Sequence, residues 1–142
     1  MLLIVGSVAR KRIESHRRLK SFRIGDYDRL VALLEGMQTI WVTPNGLTEA
    51  SNLLGIDGSD RSRSYAVALR NLIESGFEVY VPSDVAAARN EYQYLGLTDA
   101  GLLEAATPNR PLLTVDQRLF TAAAAIDPSI VVNAVSLFEE RQ

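Results

Sequence analysis

The sequence predicts an α/β fold, a three-layer sandwich in which helices cover both faces of a mainly parallel central sheet. Three observations carry this expectation. Short apolar bursts of strand length (TIWVT at 39–43, FEVYV at 77–81, LLTV at 112–115, IVV at 130–132) alternate with amphipathic stretches of helix length. The bursts are nearly continuous rather than alternating, the pattern of strands buried on both faces. Each connection is long enough to carry the chain back before the next strand begins, as parallel pairing requires.

The elements follow in order. Tyr27, Leu30, Val31 and Leu34 fall at i, i+3, i+4 and i+7 behind a candidate cap at Asp26, which predicts a helix ending near Gly36. Residues 39–43 are β-branched and aromatic and stop at Pro44, so a strand is expected there. Thr43 can cap, and Pro44 can open, a helix through Leu54 with Gly55 as its terminator. Ser62 or Ser64 is expected to start the next helix, where Tyr65, Ala68, Leu69, Leu72 and Ile73 share a side before Gly76. A strand at 77–81 closes at Pro82, and an alanine-rich helix is expected over 83–94. Thr98 offers a cap for a short helix over 99–106, and the strand at 112–115 leads into a helix starting at Asp116 or Gln117. A last strand at 130–132 and a last helix at 135–141 complete one continuous domain over residues 1–142.

Composition removes several classes of function. There is no cysteine, which excludes disulfide scaffolds, thiolate zinc sites and cysteine nucleophiles. The single histidine, His16, lies in a basic run, which leaves serine triads and two-histidine metal sites without their imidazoles. The apolar opening at residues 1–5 is broken by Gly6 and is far shorter than the about 20 residues of a membrane span. A cytoplasmic location is expected from the lack of a signal peptide. Phosphate-loop, dinucleotide-binding and G-x-S-x-G motifs are all missing.

The formal net charge of -2 conceals an uneven distribution. Segment 10–23 holds seven cations (Arg10, Lys11, Arg12, Arg17, Arg18, Lys20, Arg23) against the single acid Glu14, a local charge of +6. Such a segment suits a phosphate polyanion, and equally suits a solvated basic face with no partner.

In open α/β sheets ligands collect beyond the carboxyl ends of the strands. Three acids occupy such places: Glu49 on the helix after TIWVT, Asp99 in the first turn of the helix after Gly96-Leu97-Thr98, and Asp116 directly after the strand at 112–115. Gathered at one sheet edge, three carboxylates would repel unless a hard cation neutralised them, and an all-oxygen set favours Mg2+ or Mn2+. Metal-assisted phosphodiester hydrolysis is the chemistry suggested. Each acid also has a plain structural role available: Asp99 on a helix dipole, Asp116 as an N-cap, Glu49 on a solvated face. Asn45, one turn before Glu49, can orient that carboxylate or satisfy local backbone, and Thr114 can bond a carboxylate or simply fill a strand. Trp41, Tyr80, Tyr92 and Tyr94 are expected to pack rather than to stack on bases.

The runs TPNGLTEASNLL at 43–54, GLTDAGLL at 96–103 and LLTVDQRL at 112–119, in this order, resemble the PIN-domain ribonuclease family over roughly residues 40–125. The resemblance implies a parallel α/β sheet, an acidic cluster holding Mg2+ or Mn2+, and cleavage of single-stranded RNA. Glu49, Asp99 and Asp116 match three of the family's acids, and segment 10–23 would then hold RNA phosphates. Many such proteins are toxins of toxin-antitoxin pairs, so a small antitoxin-like partner protein is implied as well; oligomeric state stays open, a homo-oligomer included. The chain departs from the family at its start, where a strand ending in aspartate is usual and no aspartate precedes Asp26. Either residues 2–5 are that strand with its acid replaced, or MLLIVGSV is the helix after it and the chain begins beyond the acid. The second register is preferred, because the apolar run flows through Gly-Ser-Val into the basic segment. A PIN-derived scaffold that binds RNA or protein without cutting is the alternative.

Overall fold

The computed structural model describes residues 1–139. Their architecture is mixed α/β and mostly helical, with two short parallel strand pairs. The chain forms two compact units, one of residues 1–42 and 47–78, the other of residues 43–46 and 79 onward.

In the first unit the opening residues are a helix, α1 (Leu2–Val8), so residues 2–5 are not a strand. α1 buries Leu2, Ile4, Val5 and Gly6 and packs against α2 (Arg12–Ser15), α3 (Ile24–Glu35) and α5 (Asp60–Ser75). Gly6 is required there: a Cβ at this position would lie 2.2 Å from the Tyr27 ring. α3 ends at Gly36 as its periodicity predicts, but Asp26 is not its cap. Arg23 holds the cap position, and buried Asp26, three residues on, accepts the Arg23 N–H at 2.7 Å through Oδ2. The sequence signal pointed to the acid, whereas a first-turn carboxylate reaching back satisfies the same orphan donor. α5 starts earlier than Ser62, because Ser59 caps it by accepting the Ser62 N–H at 3.3 Å.

The strands are shorter than their apolar runs. β1 (Trp41–Val42) pairs in parallel with β2 (Phe77–Glu78), Trp41 opposite Phe77 and Val42 opposite Glu78. The ladder stops because Thr43 leaves it: its Oγ1 accepts the Gly46 N–H at 3.2 Å, opening α4 (Pro44–Leu54) with the predicted bounds. Gly55, at φ 63°, follows as the expected left-handed terminator.

In the second unit the helix expected over 83–94 is two helices, α6 (Ser83–Ala87) and α7 (Tyr92–Leu95). At the break, the Arg89 guanidinium bonds Glu91 at 3.3 Å and Glu104 at 2.7 Å. Residues two apart point to different sides of a continuous helix, so the Arg89–Glu91 pair needs the interruption. α8 (Leu97–Ala105) begins after Gly96 rather than after a Thr98 cap; at φ 87° this glycine turns the chain from α7 straight into α8. β3 (Leu112–Thr114) pairs in parallel with β4 (Val131–Asn133), and between them run α9 (Gln117–Ile126) and a 3-10 turn, Pro128–Ile130. Leu103, Leu119, Ala122, Ala123, Ile130 and Val131 form the buried cluster of this unit. α10 (Ala134–Glu139) is the last described helix; the expected residues 140–141 lie outside the described residues. No described helix is long and apolar enough to cross a membrane.

Candidate functional site

The basic segment is built on two apolar anchors. Ile13 is fully buried and Leu19 nearly so, and between and around them the cations are forced outward. Only Arg12–Ser15 is helical; a chain of tight turns, His16 N–H to Ile13 O, Leu19 N–H to His16 O and Phe22 N–H to Leu19 O, carries the remainder. Arg23 stands at the cap of α3, and the other six cations of the segment separate into two groups. Arg10 lies 5.7 Å over the Tyr27 ring and 3.0 Å from Asp28 Oδ1, an ion pair off the hydrogen-bond angle. Arg12 lies 5.5 Å over the Tyr65 ring and donates to Ser64 Oγ at 3.4 Å. These two side chains staple the segment to α3 and α5. Lys11, Arg17, Arg18 and Lys20 are exposed. His16 accepts the Arg18 N–H at 3.2 Å and meets the Tyr65 ring edge-on. Burial, then the positive fields of Arg61, the N-terminus and Arg18, lower its pKa, so at neutral pH it adds no charge to the segment.

The three acids are distributed over both units. Glu49 is exposed on the portion of α4 that belongs to the first unit. Asp99 is half-buried in the first turn of α8 and Asp116 is exposed, both in the second unit. Asp116 is the N-cap of α9, its Oδ1 accepting the N–H groups of Arg118 at 2.8 Å and Leu119 at 3.0 Å. Thr114 turns its hydroxyl to the chain itself, accepting the Asp116 N–H at 3.0 Å. Asn45 is half-buried beside a cavity of about 30 Å³, water-sized, that Thr43, Tyr80, Ser83 and Gly101 also line. The donor set Glu49, Asp99 and Asp116 has the oxygen chemistry a hard cation takes. Among the described residues, however, no three carboxylate or imidazole side chains gather to hold a metal ion. No reaction step through a metal follows from this arrangement.

Two features were missed in the sequence. Trp41, expected to pack, and Phe77, read as a strand residue, are 44% and 57% exposed and lie against each other, ring centroids 5.3 Å apart at 41°. Tyr80, Tyr92 and Tyr94 are exposed too, against the expectation that they pack. For Trp41 and Phe77 the strand pair is only two residues long and offers little covered face, whereas Tyr80 lies beyond β2 and Tyr92 and Tyr94 sit on α7. The second feature is an apolar groove of about 800 Å³ between α1 and α5, floored by Leu3, Ile4, Val67 and Leu72. Compared with protein-family models, curated proteins and solved structures, the chain matches none of them.

Proposed function

We propose that this chain is a PIN-like scaffold that binds single-stranded RNA through its basic segment without cutting it. The observation that carries this reading is the display of Lys11, Arg17, Arg18 and Lys20 on a short loop clamped by buried Ile13 and Leu19. Clamping lowers the conformational cost of presenting several cations at once, and each phosphate contact releases a counterion. Four such contacts give a slope of log K against log salt of about -3 for a single strand. The test is a titration of unstructured RNA at several salt concentrations: Arg17→Ala with Arg18→Ala should bring the slope to about -1.4 and leave no cleavage product in either protein. Salt-insensitive binding, or none, removes RNA from consideration.

A second reading keeps the nuclease itself, favoured by the ordered motifs at 43–54, 96–103 and 112–119. A bound Mg2+ or Mn2+ would activate water and screen charge on the phosphate. On this reading the protein with Mn2+ cleaves unstructured RNA, and Asp99→Asn abolishes cleavage while the fold, followed by circular dichroism, is kept. Equal activity in the variant would identify a contaminating nuclease. Both readings carry the finer fold expectation, a three-layer sandwich on a mainly parallel central sheet, together with a cytoplasmic location and a small antitoxin-like protein as a further partner.

A further inference from the structure

His16 stands where several parts of the first unit meet. Its ring meets Tyr65 of α5 edge-on, with centroids 6.3 Å apart, and Arg12 of α2 lies 5.5 Å over that same Tyr65 ring. Arg61, one helical turn before Tyr65 on the same side of α5, faces the imidazole together with the Met1 amino group ahead of α1 and Arg18 of the loop itself. Each of these charged groups is positive, and with burial they hold the imidazole below its ordinary range. Within the loop, Nδ1 accepts the Arg18 N–H at 3.2 Å. A ring nitrogen that accepts carries no proton, so this bond belongs to the neutral imidazole alone.

We propose that His16 couples polyanion binding to proton uptake: an RNA strand seated on Lys11, Arg17, Arg18 and Lys20 reverses the local field, and the imidazole exchanges its bond to the Arg18 N–H for a proton. The ring thereby adds a cation to the segment in the bound state. Reciprocity gives the consequence, since a ligand that makes protonation easier is itself bound more tightly by the protonated protein. The turn survives the exchange: the Arg18 N–H is exposed and passes to water, while the Leu19 N–H still bonds His16 O at 2.9 Å and Leu19 stays buried. With the lower pKa in the free protein and the higher in the complex, RNA affinity rises as pH falls through the higher value and levels off below the lower one. Phosphodiesters stay ionised throughout, so the dependence belongs to the protein. This regulation rests on the RNA-binding reading of the basic segment.

His16 is the only histidine, so its ring protons titrate alone in the NMR spectrum and give its pKa directly. With saturating oligouridylate, whose bases stay neutral across the range, that pKa should rise. Affinity for the same oligonucleotide at constant ionic strength should increase roughly 3- to 10-fold from about pH 7.5 to about pH 5.5. His16→Asn, whose Oδ1 can still accept the Arg18 N–H, should match the parent at the higher pH in affinity and in circular dichroism, and should lose the increase at the lower one. An increase retained by His16→Asn puts the proton elsewhere, the Met1 amine that burial also lowers included, and overturns the proposal. Salt-dependent RNA binding with an affinity flat in pH and a His16 pKa that stays or falls overturns the coupling and leaves the basic segment standing. Absence of RNA binding at either pH overturns both.

Discussion

The two units of the chain carry net charge of opposite sign. The first has eleven basic against nine acidic side chains, +2, and the second four against eight, -4. In the first, buried Ile13 and Leu19 push cations outward, and Arg10 and Arg12 are held over the Tyr27 and Tyr65 rings, while Arg29 and Arg63 pair with Asp26 and Asp60. Carboxylates bind nearby backbone in both: Asp26 and Asp57 take the Arg23 and Ser59 N–H groups in the first, and in the second Asp116 caps α9, Asp127 takes the N–H and hydroxyl of Ser129 at 2.8 and 2.7 Å, and Asp84 takes the Val85 N–H at 2.9 Å. Asp116, the acid after β3, is therefore a fold-forming group before it is anything else. The exposed cations have no equivalent structural duty, which is why the functional reading begins with them.

Three changes probe this contrast, in falling order of effect. Gly6→Ala gains about 1 kcal/mol of helix propensity but drives a Cβ into the Tyr27 ring, and overpacking of that kind costs about 1–3 kcal/mol. The clash wins, so Tm should fall by several degrees. In a Tyr27→Ala background the same change should become stabilising, a reversal that a double-mutant cycle by thermal denaturation reads directly. Stabilisation by Gly6→Ala alone would mean that α1 and Tyr27 do not meet as described.

Asp116→Ala removes the cap of α9 and should cost about 1 kcal/mol, measured by chemical denaturation. Asp116→Asn keeps an acceptor for the same N–H groups and should cost a few tenths at most. That split separates the two readings of this residue: a cap tolerates the asparagine in every assay, whereas a metal ligand loses activity with stability intact.

The smallest effects concern pH. Hydrogen bonds from Ser59 and Ser62 hold Asp57 down from its ordinary 3.8 to about 2. A carboxyl depressed in the folded state contributes stability above its unfolded pKa and loses it as pH falls through the folded one. The start of α5 should therefore loosen between about pH 4 and pH 2, seen as lost amide protection at Ser59 and Ser62, and Asp57→Asn should remove that pH dependence. His16 follows the same sign, since its lowered pKa means that the unfolded chain takes up a proton first. Its contribution is present above about 6.5 and fades below it, so His16→Asn should flatten the acid limb of stability against pH in that range.

Much of this was readable from the sequence alone, and the reason is distance along the chain. Helices α3 and α4, their glycine terminators, the helix at the opening residues and the cap at Asp116 depend on groups within a turn or two of one another, so periodicity and cap chemistry suffice to place them. The concentration of cations at 10–23 is likewise plain in the composition. What the tertiary structure alone decided depends on partners remote in sequence. Strand length was set by where Thr43 left the ladder, the exposure of Trp41 and Phe77 by the two-residue pairing of β1 and β2, and the break after α6 by the reach of Arg89 to Glu104. Whether Arg10 and Arg12 bind rings or solvent was settled by Tyr27 and Tyr65, which no local pattern connects to them. Local free energies choose the elements, whereas packing between elements chooses which side chains remain at the surface to act.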